Sequence, residues 1–101
     1  MNEYDKRLMD KPSIETEWCP FCGRPIQSRH HIVKRSRGGT QGPTITVCGY
    51  DNVTGCHGLL EQHYLHLRYN DKAQCWECLK TDQPTKQHIA EEMTGWRLLR
   101  V

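Results

Sequence analysis

The sequence predicts a small α+β domain whose apolar core needs support from a bound metal or from disulfides. The chain has 101 residues, a length that favours a single domain. Only 36% of the residues are apolar, which is little for a core at this length. Six cysteines are present, and they could form either kind of cross-link. Short alternating stretches and helical spacings both occur, so strands and helices are expected together.

The N-terminal sequence favours a metal over disulfides. The first ten residues carry charges throughout and lack the apolar segment of a secretory signal peptide. No apolar run approaches the ~20 residues of a membrane-spanning helix. We therefore expect an intracellular, cytoplasmic protein without a membrane anchor, where close cysteine pairs more often bind zinc than form disulfides. A disulfide-stapled small protein is the alternative.

Residues 1–18 are expected to form an N-terminal arm ahead of the main domain. The charged segment 1–10 fits a short helix or an extended arm, and Pro12 ends any helix at about that point. Apolar residues alternate weakly over 13–18, which indicates a short strand. Trp18 is predicted to pack in the core or against the cysteine turn that follows it.

Two cysteine pairs are the predicted ligands of a structural zinc ion: Cys19, Cys22, Cys48 and Cys56. The first pair lies in a C-x-x-C-G turn, where glycine supplies the backbone angle that lets both thiolates face one ion. The second pair has a C-x7-C spacing, and its glycines, Asp51 and Asn52 predict a loop that bulges between the two ligands. Together the pairs supply the four thiolates of a tetrahedral site.

A β-hairpin is predicted between the two cysteine pairs. Its first strand lies within 25–33, and its second strand, 44–48, alternates β-branched residues. The glycine-rich segment 36–43 is the connecting turn. His30 and His31 therefore lie near the end of the first strand, and as neighbours on a strand they should point to opposite faces.

The hairpin is also basic, although the net charge of the chain is only +2. No acidic residue lies between Glu17 and Asp51, whereas five basic residues do: Arg24, Arg29, Lys34, Arg35 and Arg37. An acid-free, arginine-rich segment is typical of a surface that binds a polyanion. A charge run alone is more often a solvated surface, but its coincidence with the histidine pair favours the polyanion.

A helix over 56–66 is predicted after the second cysteine pair, with His57 in its first turn. This helix would complete a core domain of residues 19–67. Glu61, one helical turn after His57, could orient that histidine or bind a metal, although a solvated glutamate is the favoured interpretation. His63, His66 and His88 are predicted to be structural or surface residues.

Residues 68–101 are expected to pack on the core as a hairpin and a helix. A turn near 70–72 predicts strands over 65–69 and 74–79, and 84–93 fits a terminal helix. Trp96, Leu98 and Leu99 are expected to dock on the body of the domain.

Cys75 and Cys78 form a further C-x-x-C spacing on the second of these strands. Residues i and i+3 of a strand point to opposite faces, so free thiols are predicted. The alternative is that this pair completes a zinc site with Cys19 and Cys22.

Three histidines, His30, His31 and His57, are the candidates for chemistry. One imidazole of the adjacent pair could bind a metal while the other stays free to take a proton from water. A histidine at the start of the following helix could reach the same metal. Those are the parts needed for metal-assisted hydrolysis of a phosphodiester.

Four motifs of the chain resemble those of the HNH endonuclease family: C-P-F-C-G at 19–23, H-H-I-V-K-R-S-R-G-G-T at 30–40, V-C-G at 47–49 and G-C-H-G-L-L-E at 55–61. The likeness is greatest to small, phage-associated members with a four-cysteine zinc site. It implies a zinc-stabilised ββα-metal (His-Me finger) domain, with a hairpin and a helix around one catalytic metal. A C-terminal β-hairpin and short helix would follow.

The resemblance also implies roles. His30 and His57 match ligands of a catalytic divalent metal, Mg²⁺, Mn²⁺, Ni²⁺ or Zn²⁺, and His31 matches the general base. The implied partners are DNA, contacted mainly through its phosphates, and a protein of phage or host. The stretch 42–47 lacks the family's middle asparagine, and Thr44 is its nearest occupant. The alternative function is a non-catalytic zinc module that binds nucleic acid or protein.

Overall fold

The computed structural model describes residues 3–34 and 41–99. This part of the chain contains three short helices and five strands, which are joined by turns and loops. In chain order they are α1 (Glu3–Leu8), β1 (Ser28–His31), β2 (Thr44–Val47), α2 (Gly55–Glu61), β3 (Leu65–Asn70), β4 (Cys75–Lys80), α3 (Gln87–Ala90) and β5 (Arg97–Leu98). The strands form two antiparallel sheets, β1–β2 and β3–β4–β5. The α+β class predicted from the sequence is confirmed.

The predicted first hairpin is present as β1 and β2. Its register pairs Ser28 with Val47 and His31 with Thr44, and every residue of β2 is buried. The predicted basic, glycine-rich connection falls largely on residues 35–40, which lie outside the described residues.

The N-terminal segment is bound to the free edge of β2. The N–H of Ile14 donates to the carbonyl of Thr44 at 2.8 Å, and the N–H of Thr46 donates to the carbonyl of Ile14 at 3.0 Å. The predicted strand over 13–18 is thus limited to isolated bridges at Ile14 and Trp18. Because Leu8 and Ile14 are buried in the core, this segment is packed on the domain and is not a loose arm.

Trp18 does not pack in the core, one of its two predicted positions, because the residue is 58% exposed. Its backbone bridges to Pro25 across the first cysteine turn. The next residue, Cys19, is buried, and neighbours in extended backbone point to opposite sides. Burial of the cysteine therefore turns the indole towards solvent.

Helix α2 is shorter than predicted and ends at Glu61. Two residues later His63 adopts a positive φ of 66°, which ends the helical path, and β3 begins at Leu65. Leu65 and Leu67 are both buried in the core from the strand. The apolar spacing that suggested a longer helix is explained by this strand.

The predicted second hairpin is confirmed as β3 and β4, and β5 adds an unpredicted third strand to β4. Helix α3 covers only four residues of the predicted 84–93. Tertiary bonds fix the segment ahead of it, since Thr85 donates to the carbonyl of His63 at 3.0 Å. At the C-terminal end Leu99 is buried, whereas Leu98 is 36% exposed, contrary to its predicted docking.

One apolar cluster joins the two sheets. It contains Leu8 from α1, Ile45 and Val47 from β2, and Leu67 and Trp76 from the second sheet. This core therefore draws on residues from all three predicted regions of the chain. Among the described residues, no helix has both the length and the apolar character needed to cross a membrane.

His66 gives the fold a measurable pH dependence. It is 3% exposed on β3, and burial lowers its pKa, opposed by the side chain of Gln87. Because the unfolded chain binds this proton more readily, stability should fall as the pH drops below the ordinary histidine pKa of about 6.5. The free energy of unfolding in urea, measured between pH 7.5 and 5.5, should therefore depend less on pH for His66→Asn than for wild type. The exposed His88→Asn variant is the control, and equal slopes for all three proteins would contradict the prediction.

Candidate metal centres

The four predicted zinc ligands lie together. The Sγ atoms of Cys19, Cys22, Cys48 and Cys56 are all within 4.8 Å of one another, and those of Cys22 and Cys48 are 3.4 Å apart. Zinc–sulfur bonds of about 2.3 Å place the sulfurs of a tetrahedral site roughly 3.8 Å apart. The cluster can therefore hold a structural metal ion.

Backbone hydrogen bonds fix the shape of each cysteine pair. In the first turn, Cys19 N–H donates to the carbonyl of Arg24 at 2.7 Å, and Gly23 adopts a φ of 78° that favours glycine. Cys48 follows β2, and Cys56 lies in the first turn of α2. The N–H of Cys56 donates to Sγ of Cys48 at 3.3 Å, which holds the two members of the second pair close to each other.

The protonation chemistry of the cluster also fits a soft cation. Burial would raise the pKa of Cys19, but hydrogen bonds from the backbone groups of Cys48, Phe21 and Cys22 lower it to about 7. Burial, followed by the charge of Cys19, raises the pKa of Cys56, and burial likewise raises that of Cys22. Neighbouring thiolates repel one another, so these four thiols do not all lose their protons readily. A bound cation removes that repulsion and favours the deprotonated form.

The other two cysteines take no part in this cluster. None of the six cysteines is in a disulfide in the structure. Cys78 is buried on β4 and Cys75 is half-buried. Cys19 and Cys22 are completed by Cys48 and Cys56, and not by the second C-x-x-C pair.

A second cluster contains His30, His57 and Glu61. Each offers one ligand atom, and these three atoms lie within 4.8 Å of one another. Oε1 of Glu61 is 3.0 Å from Nδ1 of His30 and 3.8 Å from Nε2 of His57. His30 comes from β1, whereas His57 and Glu61 lie at i and i+4 on one face of α2. The hairpin and the helix thus bring together two histidines that are 27 positions apart in the sequence.

Ser28 orients the ring of His57. The Ser28 hydroxyl lies 2.9 Å from Nδ1 of His57 and also donates a hydrogen bond to the carbonyl of Gly49. A serine hydroxyl has a single hydrogen, so towards His57 it must accept. This assigns the proton of the neutral ring to Nδ1 and leaves the lone pair of Nε2 directed at the cluster, as a metal ligand requires.

His30 is held as a neutral base. It is 7% exposed, and burial lowers its pKa to about 4 against the opposing charge of Glu61. Its Nδ1 lies close to the Glu61 carboxylate but makes no hydrogen bond with any described residue. A buried nitrogen and a carboxylate oxygen that face each other in this way are suited to share a cation.

His31 lies apart from this trio, as the alternation of β1 predicts. The ring is half-buried, and its buried Nδ1 has no hydrogen-bond partner among the described residues. Thr44, its cross-strand partner, turns to the N-terminal segment, where its hydroxyl donates to Oγ of Ser13 at 3.4 Å. The hydroxyl that could replace the missing asparagine is thus directed to Ser13.

Ser28 was not identified from the sequence, and Glu61 was considered there as a possible metal ligand without that role being favoured. Glu61 was expected to be solvated, but its side chain is 25% exposed and contacts both histidines. The i+4 spacing from His57 was the available signal. Ser28 had a weaker signal, its position two residues before His30 on the same face of a strand. Lys34, with Nζ 4.0 Å from Oε2 of Glu61, adds a cation beside the cluster.

A cavity of about 110 Å³ adjoins the histidine side of the cluster. Its wall includes His30 and Lys34, together with His63 and His66 from the region after α2. His63 is exposed and lies on the wall of this cavity, although its i+6 spacing from His57 did not predict a position near the site.

A scan against protein-family models and searches of curated proteins and of solved structures find no match to this chain.

Proposed function

We propose that this protein is a metal-dependent endonuclease of the HNH type, which hydrolyses phosphodiester bonds of DNA. The observation that carries the proposal is the convergence of His30, His57 and Glu61 within 4.8 Å, with His31 adjacent on the same strand. The order of β1, β2 and α2 around this cluster supports a ββα-metal domain. The four-cysteine cluster supports a structural zinc at its base.

The donor set suits a catalytic divalent cation. Two neutral imidazole nitrogens and one carboxylate oxygen match the preferences of Mn²⁺, Ni²⁺ and Zn²⁺, and the carboxylate also suits Mg²⁺. Three protein ligands leave positions for water and substrate. When bound, such an ion would polarise the phosphate and stabilise the leaving oxygen. Glu61 is proposed as its third ligand, beyond the two histidines that the resemblance implied.

The remaining residues divide the work of hydrolysis. His30 and His57 would hold the ion, and the contact of Ser28 with Nδ1 of His57 leaves the Nε2 lone pair free to bind it. His31 is the proposed base that takes a proton from the attacking water, because it belongs to neither metal cluster. Histidine is the side chain that most often serves as a general base in enzymes.

Charge at the site favours a phosphate substrate. Glu61 supplies one negative charge to the histidine cluster, which Lys34 offsets at 4.0 Å. A bound divalent ion would then leave a net positive centre, as a phosphodiester anion requires. Arg24 is exposed and adds a positive charge near the hairpin, whereas the exposed Arg29 lies 3.4 Å from a carboxylate oxygen of Glu15.

Cleavage of supercoiled plasmid tests the proposal directly. With Mg²⁺, Mn²⁺ or Ni²⁺, the wild-type protein should produce nicked circles and then linear DNA. His57→Ala should lower the rate by at least about 100-fold, because it removes a ligand of the ion that stabilises transition-state charge. His88→Ala replaces an exposed histidine of α3 and should cleave at the wild-type rate.

The opposite outcome would identify the other candidate. If plasmid stays intact with every ion while the protein still binds DNA at low salt, the chain is a non-catalytic zinc module. One observation favours that alternative: the Thr44 hydroxyl bonds to Ser13, in a chain that lacks the asparagine of the family motif.

A further inference from the structure

The loop between the second pair of cysteines, residues 49–55, exposes two large apolar side chains. Tyr50 is 66% exposed and Val53 is 73% exposed. Among the described residues these are the most exposed large apolar side chains, and they share a single loop. Single apolar side chains on a surface are normal, whereas apolar side chains that are exposed together can mark an interaction site.

Internal hydrogen bonds hold this inter-cysteine loop in one shape. The N–H of Val53 donates to Oδ1 of Asp51 at 2.9 Å, and the N–H of Tyr50 donates to Oγ1 of Thr54 at 3.1 Å. The side-chain amide of Gln62 donates to the carbonyl of Asn52 at 2.7 Å, which ties the loop to the end of α2. A loop fixed in this way loses little conformational entropy when it binds.

The two ends of the inter-cysteine loop touch each other. A Cβ added at Gly49 would lie 2.1 Å from the carbonyl oxygen of Thr54, and one added at Gly55 would lie 2.7 Å from the nitrogen of Gly49. Both glycines also have positive φ, 86° and 55°. The neck of the loop is therefore closed by backbone contacts, and Tyr50 and Val53 project from a rigid base.

The loop lies directly against the candidate catalytic centre. A Cβ added at Gly58 would be 2.7 Å from the carbonyl carbon of Val53, so the loop backbone packs on the turn that carries His57. On the other side, the carbonyl of Gly49 accepts the hydroxyl hydrogen of Ser28, which in turn contacts the His57 ring. The inter-cysteine loop is therefore in direct contact with two elements of the candidate centre.

We propose that Tyr50 and Val53 form an apolar wedge that enters a base step of bound DNA and partly unstacks it. The proposal rests on DNA binding at the centre and does not require cleavage. Insertion at a base step takes one or two apolar side chains and kinks the duplex, whereas a protein interface needs about 800 Å² from each partner. The two side chains of this loop are enough for insertion at a base step, but they are too few to form a protein interface of that size.

The apolar side chains of the loop suit this role. Its single acidic residue, Asp51, accepts the N–H of Val53 through Oδ1. Tyr50 supplies a flat ring for stacking on a base, which is tolerant of sequence. Val53 supplies a branched apolar side chain, similar in chemistry to the Leu and Ile side chains that other proteins insert between bases.

Fluorescence of 2-aminopurine tests the wedge without cleavage. The base analogue is placed at successive positions of a short duplex, which is mixed at low salt with the His31→Ala protein, so that DNA is bound but not cut. Unstacking should raise the emission several-fold at one or two neighbouring positions. The additional double change Tyr50→Ser and Val53→Ser should abolish the increase, while Tyr50→Phe alone should retain it.

A matched control uses exposed apolar residues elsewhere. Ile89 and Met93 are 49% and 42% exposed around α3. Replacing both by serine should leave the fluorescence increase unchanged. Unfolding curves of all variants check that the fold is intact, which is expected because the replaced side chains are solvent-exposed.

The outcomes separate the two proposals. DNA binding with no change in fluorescence would overturn the wedge and leave the nuclease proposal standing, and this result is also expected if the loop binds a protein. A fluorescence increase that persists after the double serine change would overturn the wedge in the same way. A fluorescence increase in a protein whose wild type cleaves no DNA would support the wedge and overturn the nuclease. If no DNA binds at low salt, both proposals fall.

Discussion

Complete removal of the metal from the four-cysteine cluster is expected to unfold the chain. Structural zinc contributes roughly 10–16 kcal/mol in small domains, which matches or exceeds the roughly 5–15 kcal/mol by which a domain is stable. Here the ion would join three separate parts of the chain: the first cysteine turn, the end of β2 and the start of α2. Circular dichroism during titration with a strong zinc chelator should show loss of structure together with release of one zinc per chain.

Two cysteine substitutions provide matched controls for this experiment. Cys22 is an exposed member of the cluster, so Cys22→Ser removes a ligand with little loss of packing and should sharply weaken zinc binding. Cys75→Ser changes a half-buried cysteine outside the cluster and should retain one zinc per chain. A melting temperature that stays the same after all zinc has been removed would show that the cluster does not support the fold.

Replacement of His31 by alanine is expected to abolish most DNA cleavage without affecting the fold. A general base accounts for about 100- to 10,000-fold of rate in enzymes of many kinds. His31 is half-buried, and it belongs to neither metal cluster. The variant should therefore bind zinc, bind a second divalent ion and unfold at nearly the wild-type temperature, while plasmid nicking falls by that factor.

A comparison with His30→Ala makes this prediction specific to the base. That change removes a buried ligand of the proposed catalytic ion, so it should lower both cleavage and binding of the second divalent ion, measured by calorimetry on the zinc-loaded protein. Cleavage by His31→Ala at the wild-type rate, alongside an inactive His57→Ala, would assign the base to another residue.

The sequence by itself predicted the parts of the fold that follow local rules. The C-x-x-C-G turn and the spacing to Cys48 and Cys56 indicated which four cysteines share an ion, and these four lie together. Alternating β-branched residues located β2, and turn residues located the hairpin of β3 and β4. The strand alternation also separated His30 from His31. Apart from the grouping of the two cysteine pairs, which rests on the number of thiolates that zinc binds, each of these inferences needs only the geometry of neighbouring residues.

Tertiary structure decided what depends on contacts between distant segments. The residues after Glu61 continue a helical pattern, but pairing of β3 with β4 and burial of Leu65 and Leu67 stabilise a strand there instead. Glu61 is drawn into the site because β1 packs across α2 and brings His30 to within 3.0 Å of its carboxylate. Trp18 faces solvent because the adjacent Cys19 occupies the interior. Spacing along a chain specifies which side chains share a face of one element, whereas only the packed fold specifies which faces meet.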